Sequence, residues 1–379
     1  MTRLVAWFSA AAVAAAALVG PLAVRPAAAD VKVGIAFALS GPIAVYGTPQ
    51  RNGVQLAARE INARGGINGE KLVLVIEDEQ GKKEEGINVF KKLIFQDKVL
   101  AIIGPTLSNS AFAADPIANA AKVPVLGVSN TASGITDIGP YVFRNSITEA
   151  DILPVVIRTV KEKRGIKKVA VMYGNDDAFT KSGYEVFRQA LADNKIEVLT
   201  TETFAKGDVD FSAQLTKIRS LKPDAIVVSA LAEEAANIML QARQLGIPDS
   251  VPFIGGNGFN NPKLFEIAGK AAEGTFVGGP WSIEDKSPKN VAFVKAYTEA
   301  YGQPPDQFAA QAYDGLHIVA AAIEQAKTTS DREKVREALQ NLKGFVGATG
   351  PFEFKPNRDA KQDGKVFIVK GGKFTLFTD

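Results

Sequence analysis

The chain has 379 residues, 46% of them apolar and 22% charged, with 34 Gly, 19 Pro, one His and no Cys. At roughly 150 residues per domain the length predicts two globular domains, and the lack of Cys excludes thiol nucleophiles, disulfides, Cys-ligated metals and a lipid-bearing N-terminal cysteine. The single His317 supplies no zinc cluster and only one candidate for a Ser/His/Asp triad, so neither a metal nor a cofactor is expected.

The first 29 residues open with Arg3, run through an Ala-, Val- and Leu-rich stretch over 4–24, and close on Arg25, Pro26 and three alanines. That order predicts a secretory signal peptide cleaved before Asp30. Gly20 and Pro21 interrupt the stretch and argue against a membrane anchor. Loss of Arg3 and Arg25 lowers Lys+Arg from 44 to 42 against 41 acids, a net charge of +1. Such a balance gives no electrostatic footprint for nucleic acid or an anionic membrane. Without a lipid anchor, retention between two membranes points to the periplasm.

From Asp30 onward, Val- and Ile-rich runs alternate with amphipathic segments. Runs over 31–39, 71–77, 99–103 and 123–128 read as buried strands. Between them, Val54, Ala57, Ala58 and Ile61 fall at helical spacing, and Ile87, Phe90 and Ile94 continue the logic. Thr48-Pro49 predicts that the first helix starts there, with Gly65-Gly66 stopping it. The pattern repeats with strands over 168–173, 196–204, 225–229 and 251–254, and a long helix is expected over 306–325. His317 flanks that helix's apolar stripe, which makes it a boundary residue. Strand and helix in alternation imply right-handed crossovers and parallel sheets.

Several segments carry a family resemblance: KVGIAFALSGPIAVYG (32–47), REINARGGINGEKLVLVIEDEQ (59–80), IIGPTLSNS (102–110), VPVLGVSNTAS (123–133), YVFR (141–144) and KKVAVMYGNDDAF (167–179). PDAIVV (223–228), QARQLGI (241–247) and AAEGTFV (271–277) continue it in order. The chain resembles the leucine/isoleucine/valine-binding family, extracytoplasmic solute-binding proteins of ABC importers with the type I periplasmic binding fold. The resemblance implies an α/β chain of two doubly wound parallel-sheet lobes joined by a three-segment hinge. One lobe would take 30–148 and 281–350, the other 149–280 and 351–379. It also implies closure around a ligand, a permease partner in the cytoplasmic membrane and no nucleic acid; a monomer is expected.

Ligands of parallel α/β sheets sit beyond the carboxyl ends of strands, where helix N-termini present amides. The segment 102–110 runs from a strand through Gly104 and Pro105 into a helix start, so its amides and the Ser108 hydroxyl suit a carboxylate; alternatively Ser108 caps its own helix. The segment 127–131 follows another strand and offers Ser129, Asn130 and Thr131. By resemblance, Ser108 and Thr131 hold an α-carboxylate, while Thr131 and the backbone at Ser129 meet an α-ammonium. Tyr46, Phe179 and Phe308 fall where the family places aromatic or apolar pocket residues, whereas Tyr313 packs its helix.

Asn257 stands where branched-chain amino-acid binders carry an acid that pairs with the ammonium. A neutral amide cannot offset a buried positive charge, and loss of such a partner costs about 3 to 5 kcal/mol. Glu233, Glu234, Asp176 and Asp177 are the candidate substitutes, or else first-turn acids favoured by their helix dipoles. The expected ligand is thus a small hydrophobic or aromatic carboxylate, with an aromatic or 2-oxo acid favoured over an amino acid. Handing a ligand to a membrane receptor is the other role open to this fold. No GxSxG or HExxH motif appears, so an enzyme is not expected.

Overall fold

A computed structural model describes residues 30–378; the expected signal peptide lies outside them. The first half runs β1 (Val31–Phe37), α1 (Ala44–Ala63), β2 (Leu72–Asp78), α2 (Lys83–Lys91), β3 (Ala101–Ile103), α3 (Ser108–Ala120), β4 (Val125–Gly127) and β5 (Val142–Arg144). Its strands form a parallel sheet in the order β2-β1-β3-β4-β5. The chain then runs α4 (Glu149–Arg164), β6 (Lys168–Gly174), α5 (Ala178–Asp193), β7 (Glu197–Phe204), α6 (Ser212–Leu221), β8 (Ala225–Ser229), α7 (Ala232–Gln244), β9 (Phe253–Gly255), α8 (Lys263–Ala268) and β10 (Phe276–Gly279). These five strands repeat the parallel order of the first sheet, as β7-β6-β8-β9-β10.

Three helices follow: α9 (Pro288–Tyr301), α10 (Gln307–Ala326) and α11 (Arg332–Gln340). They return to the first sheet, where α10 packs along α1 and touches β3. The crossing is tight because Gly53 lacks a side chain; a Cβ there would stand 2.3 Å from the Ala309 carbonyl oxygen. Next come β11 (Phe345–Gly347), β12 (Gly350–Phe354) and β13 (Ala360–Lys361), a small antiparallel sheet. Finally β14 (Lys365–Val369) and β15 (Phe374–Leu376) add antiparallel to β10 on the second sheet. The expected lobe boundary at 350/351 therefore falls inside β12.

Helices cover both faces of the parallel strands, which explains their unbroken apolar runs. All five residues of β8 are buried, and β1 buries all but Lys32. Arg144 at the end of β5 is also buried, and its Nε donates to Asp359 Oδ1 at 2.6 Å. Among the described residues no helix is long and apolar enough to cross a membrane.

The predicted elements are present with ends shifted by one or two residues, except that α1 begins four residues before Thr48 and carries Pro49 inside it. Pro49 has no N–H to give the carbonyl four residues earlier. That carbonyl, on Val45, instead accepts from Asn261 Nδ2 at 3.0 Å. A tertiary partner thus replaces the missing helical bond, which is why the helix continues through the proline. Asp306 lies outside α10 as its N-cap, its Oδ1 accepting from the Ala309 amide at 2.9 Å.

Candidate functional site

In an order of this kind the chain reverses direction of growth between the first and third strands, and the loops leaving those strands open a crevice. Here both sheets aim such a crevice at one cavity. Tyr46 enters from the start of α1, Thr106, Leu107 and Ser108 from the β3–α3 corner, and Ser129 and Thr131 from the segment after β4. Opposite them stand Phe179 from α5, Leu231 after β8, and Asn257 and Gly258 after β9, with Phe308 from α10 closing the wall. Of the eight residues singled out in the sequence, seven line this cavity. Asn130 does not; its Nδ2 donates to the Pro105 carbonyl at 3.0 Å and ties the two first-sheet corners together.

The β3–α3 corner is shaped for an anion. Gly104 has φ +124°, and a Cβ there would lie 2.1 Å from the Ala36 carbonyl oxygen, so the chain turns against β1 only with glycine. Leu107 occupies the N-cap position of α3 and supplies no side-chain cap. The first amides of the helix therefore remain as donors with the positive dipole end behind them. Ser108 is the first helical residue rather than its cap. Its Oγ accepts from the amides of Thr131 at 3.2 Å and Ala132 at 3.3 Å. Those two bonds use its lone pairs, and among the described residues no acceptor takes the hydroxyl proton.

The second corner differs from expectation. Ser129 Oγ donates to the Thr106 carbonyl at 2.7 Å and accepts from Gln50 Nε2 at 2.6 Å, so the hydroxyl is committed to the wall. Thr131 gives its amide to Ser108 and its hydroxyl proton to Glu149 Oε1 at 3.3 Å. Asn257 Nδ2 donates to the same Glu149 oxygen at 3.1 Å. None of the acids considered as substitutes lines the cavity: Asp177 caps α5 through Phe179 and Thr180, Asp176 accepts from the Lys206 amide, Glu234 accepts from the Gly207 amide, and Glu233 lies beside it in the first turn of α7. Tyr313 donates to Glu60 at 2.6 Å, outside the cavity.

Glu149 is the residue that sequence reasoning missed. It reads as an ordinary first-turn acid of α4, and only the fold brings it behind Asn257, 108 positions away.

The aromatic wall is also a clasp. Tyr46 packs edge-on to Phe308, with ring centroids 4.8 Å apart at 77°. Its hydroxyl donates to the Gly258 carbonyl at 3.0 Å and accepts from the Ala232 amide at 2.8 Å. Asn109 reaches across in the same way, donating to Asp177 Oδ2 at 2.6 Å and accepting from the Ala178 amide at 3.0 Å.

Three acids near the cavity are held protonated up to unusual pH. Burial pushes Glu79 up to about 7 against hydrogen bonds from Ser110 and Thr106. It does the same to Glu149 against Asn257 and Thr131, and to Asp306 against the amides of Ala309 and Phe308. Each binds a proton in the folded chain at a pH where the unfolded chain has released it, so folding weakens as pH rises from about 5 to 8. The ligand-free protein is expected to melt a few degrees lower at pH 8 than at pH 5.5 by scanning calorimetry. A rise in melting temperature over that range would contradict these assignments.

Residues 30–373 match the family described as periplasmic binding protein. The chain is 31% identical over 368 residues to the Leu/Ile/Val-binding protein BraC3 of Rhizobium johnstonii, covering 94% of this chain and 97% of that one. It is similar to the branched-chain amino acid transporter substrate binding protein LivJ of Streptococcus pneumoniae in complex with isoleucine, with TM-score 0.86, 34% identity and coverage of 91% and 98%. It is also similar to a solute binding protein of an ABC transporter from Rhodopseudomonas palustris in complex with 3,4-dihydroxybenzoic acid, with TM-score 0.83, 28% identity and coverage of 91% and 95%. With its paired parallel sheets and a match that spans nearly all the described residues, the chain belongs to the periplasmic binding protein family and has the type I fold.

Proposed function

We propose that this protein captures a small carboxylate bearing an apolar or aromatic group in the periplasm and delivers it to an ABC permease in the cytoplasmic membrane. The uncapped N-terminus of α3 with the Ser108 hydroxyl beside it carries the reading, because a buried cluster of donors calls for an anion. Tyr46, Leu107, Phe179, Leu231 and Phe308 give the rest of the ligand an apolar wall. The body of 30–148 with 281–350 closes on that of 149–280 with 351–379, and the bonds of Tyr46 and Asn109 across the cleft support such a closed state. Closure changes the surface offered to the permease.

Two ligand classes meet this description. An aromatic or 2-oxo acid suits the neutral Asn257 and the hydroxyl-free Phe179. An apolar amino acid is favoured by a different observation, the Glu149 carboxylate behind Thr131 and Asn257. A thermal-shift panel of leucine, phenylalanine, phenylpyruvate and benzoate separates them. A ligand at 100 times its Kd adds about 2.7 kcal/mol to stability. No shift with any carboxylate would overturn the proposal.

A further inference from the structure

Glu149 is 1% exposed and stands one layer behind the cavity, touching two of its lining residues. Its second oxygen rests against Gly256, where a Cβ would come within 2.3 Å of it, so the backbone at 256 is cut to admit a carboxylate. Among the described residues no Lys, Arg or His forms an ion pair with it. Several charges on and around α4 pair with one another instead, while Arg158 and Lys163 of α4 form no ion pair among the described residues. Arg144 pairs with Asp359, Lys355 with Asp151, Lys365 of β14 with Asp285, and Arg188 of α5 with Glu185. Lys181 is the remaining charged residue on the first turns of α5. On α3, Asp115 is buried beside Arg144. The segments 127–132 and 254–261 that face Glu149 hold no titratable residue. On the α10 side stand Asp306, next to Gln307, whose Nε2 reaches Asn257, and the buried Asp314, which accepts from the amides of Ala348 and Thr349.

The direction of the hydrogen bonds decides what the ligand meets. Thr131 Oγ1 and Asn257 Nδ2 both donate to Glu149, and the other Nδ2 proton goes to the Ile147 carbonyl, so neither side chain gives a proton to the cavity; what they keep for it are the Thr131 oxygen lone pairs and the one lone pair of Asn257 Oδ1 that Gln307 Nε2, at 3.4 Å, does not take. Acceptors backed by an anion suit an ammonium group and repel a second carboxylate. With a proton on Glu149 the polarity reverses: its O–H donates to Thr131 Oγ1, and the threonine proton is released to face the ligand.

We propose that Glu149 is the positioning residue that selects the ligand class through Thr131 and Asn257, holding an α-ammonium when ionised and admitting ammonium-free carboxylates when protonated. The inference rests on the carboxylate-capture reading. Burial, which brings Glu149 up to about 7, leaves both forms accessible near neutral pH.

The test is isothermal calorimetry with leucine, phenylalanine and their 2-oxo analogues at pH 6 and pH 8, where the ligands themselves do not change charge. The ratio of amino-acid to 2-oxo-acid affinity is expected to rise by about tenfold or more across that interval. In buffers of different ionisation enthalpy, wild-type protein near pH 7 should take up a proton with a 2-oxo acid and release one with an amino acid. Glu149→Gln should flatten the pH dependence and Glu149→Asp should retain it, which separates Glu149 from Asp306 and Glu79. The proton measurement needs no variant and decides the matter if Glu149→Gln does not fold, or if only one class binds. Binding without proton exchange, or pH dependence that survives in Glu149→Gln, overturns the role of Glu149 and leaves carboxylate capture standing. Absence of binding by every acid overturns both.

Discussion

Ser108→Ala is expected to lower affinity for a carboxylate ligand by roughly 10- to 100-fold, the worth of about 1.5 to 3 kcal/mol for a hydrogen bond to a charged group. The hydroxyl has two tasks. Its lone pairs take the Thr131 and Ala132 amides, which fastens the segment after β4 to the start of α3. Its proton is then a side-chain donor placed beside the helix amides. Alanine removes both, so a loss of stability from two unpaired buried amides accompanies the loss of affinity. Ser108→Thr keeps the hydroxyl and separates the two effects. Calorimetric titration with whichever acid the thermal panel selects, together with urea unfolding, reads affinity and stability independently. Unchanged affinity in the alanine variant would remove the α3 corner from the site.

Tyr46→Phe tests closure. The phenol oxygen serves Gly258 and Ala232, which belong to the segments after β9 and β8, while its ring belongs to α1 on the first sheet. Phenylalanine retains the edge-on contact with Phe308 but strands one amide and one carbonyl in the closed form. In an open form both meet water, so the substitution shifts the balance toward opening rather than unfolding the chain. A penalty of about 1 to 3 kcal/mol lowers apparent affinity by up to roughly 5- to 150-fold, because ligand binding must first restore the closed state. Small-angle scattering of the ligand-free variant should show a larger radius of gyration than wild type. A lower melting temperature with affinity and radius unchanged would make Tyr46 a structural residue only.

Elements dominated by local pattern were legible in the sequence. The run of 225–229 is β8 without adjustment, and the stripe of Leu316, Val319, Ala320 and Ile323 lies on α10, because periodicity and burial agree there. The start of α1 was not legible, since Thr48-Pro49 has the local chemistry of a helix start and a distant asparagine overrides it. Most cavity residues were reached through family resemblance, not spacing. What resemblance left hidden was the state of each polar group. Whether Ser129 offers its hydroxyl depends on Gln50, 79 positions away, and whether Asn130 faces the ligand depends on Pro105. The acid behind Asn257 comes from a helix whose first turn looks ordinary in sequence. Long-range pairing of donors with acceptors is three-dimensional information, and a run of letters records only which donors are available.

The proline in α1 bears on the energetics of the proposed closure. A regular helix is self-sufficient along its length and gains nothing from swinging toward a neighbour. By omitting one rung, Pro49 leaves Val45 with an unmet demand that Asn261 answers from the segment after β9. Under the proposed closure, shutting is rewarded by a bond between a backbone carbonyl of α1 and an asparagine side chain that does not line the cavity, so substitutions that retune cargo preference would leave this contribution intact.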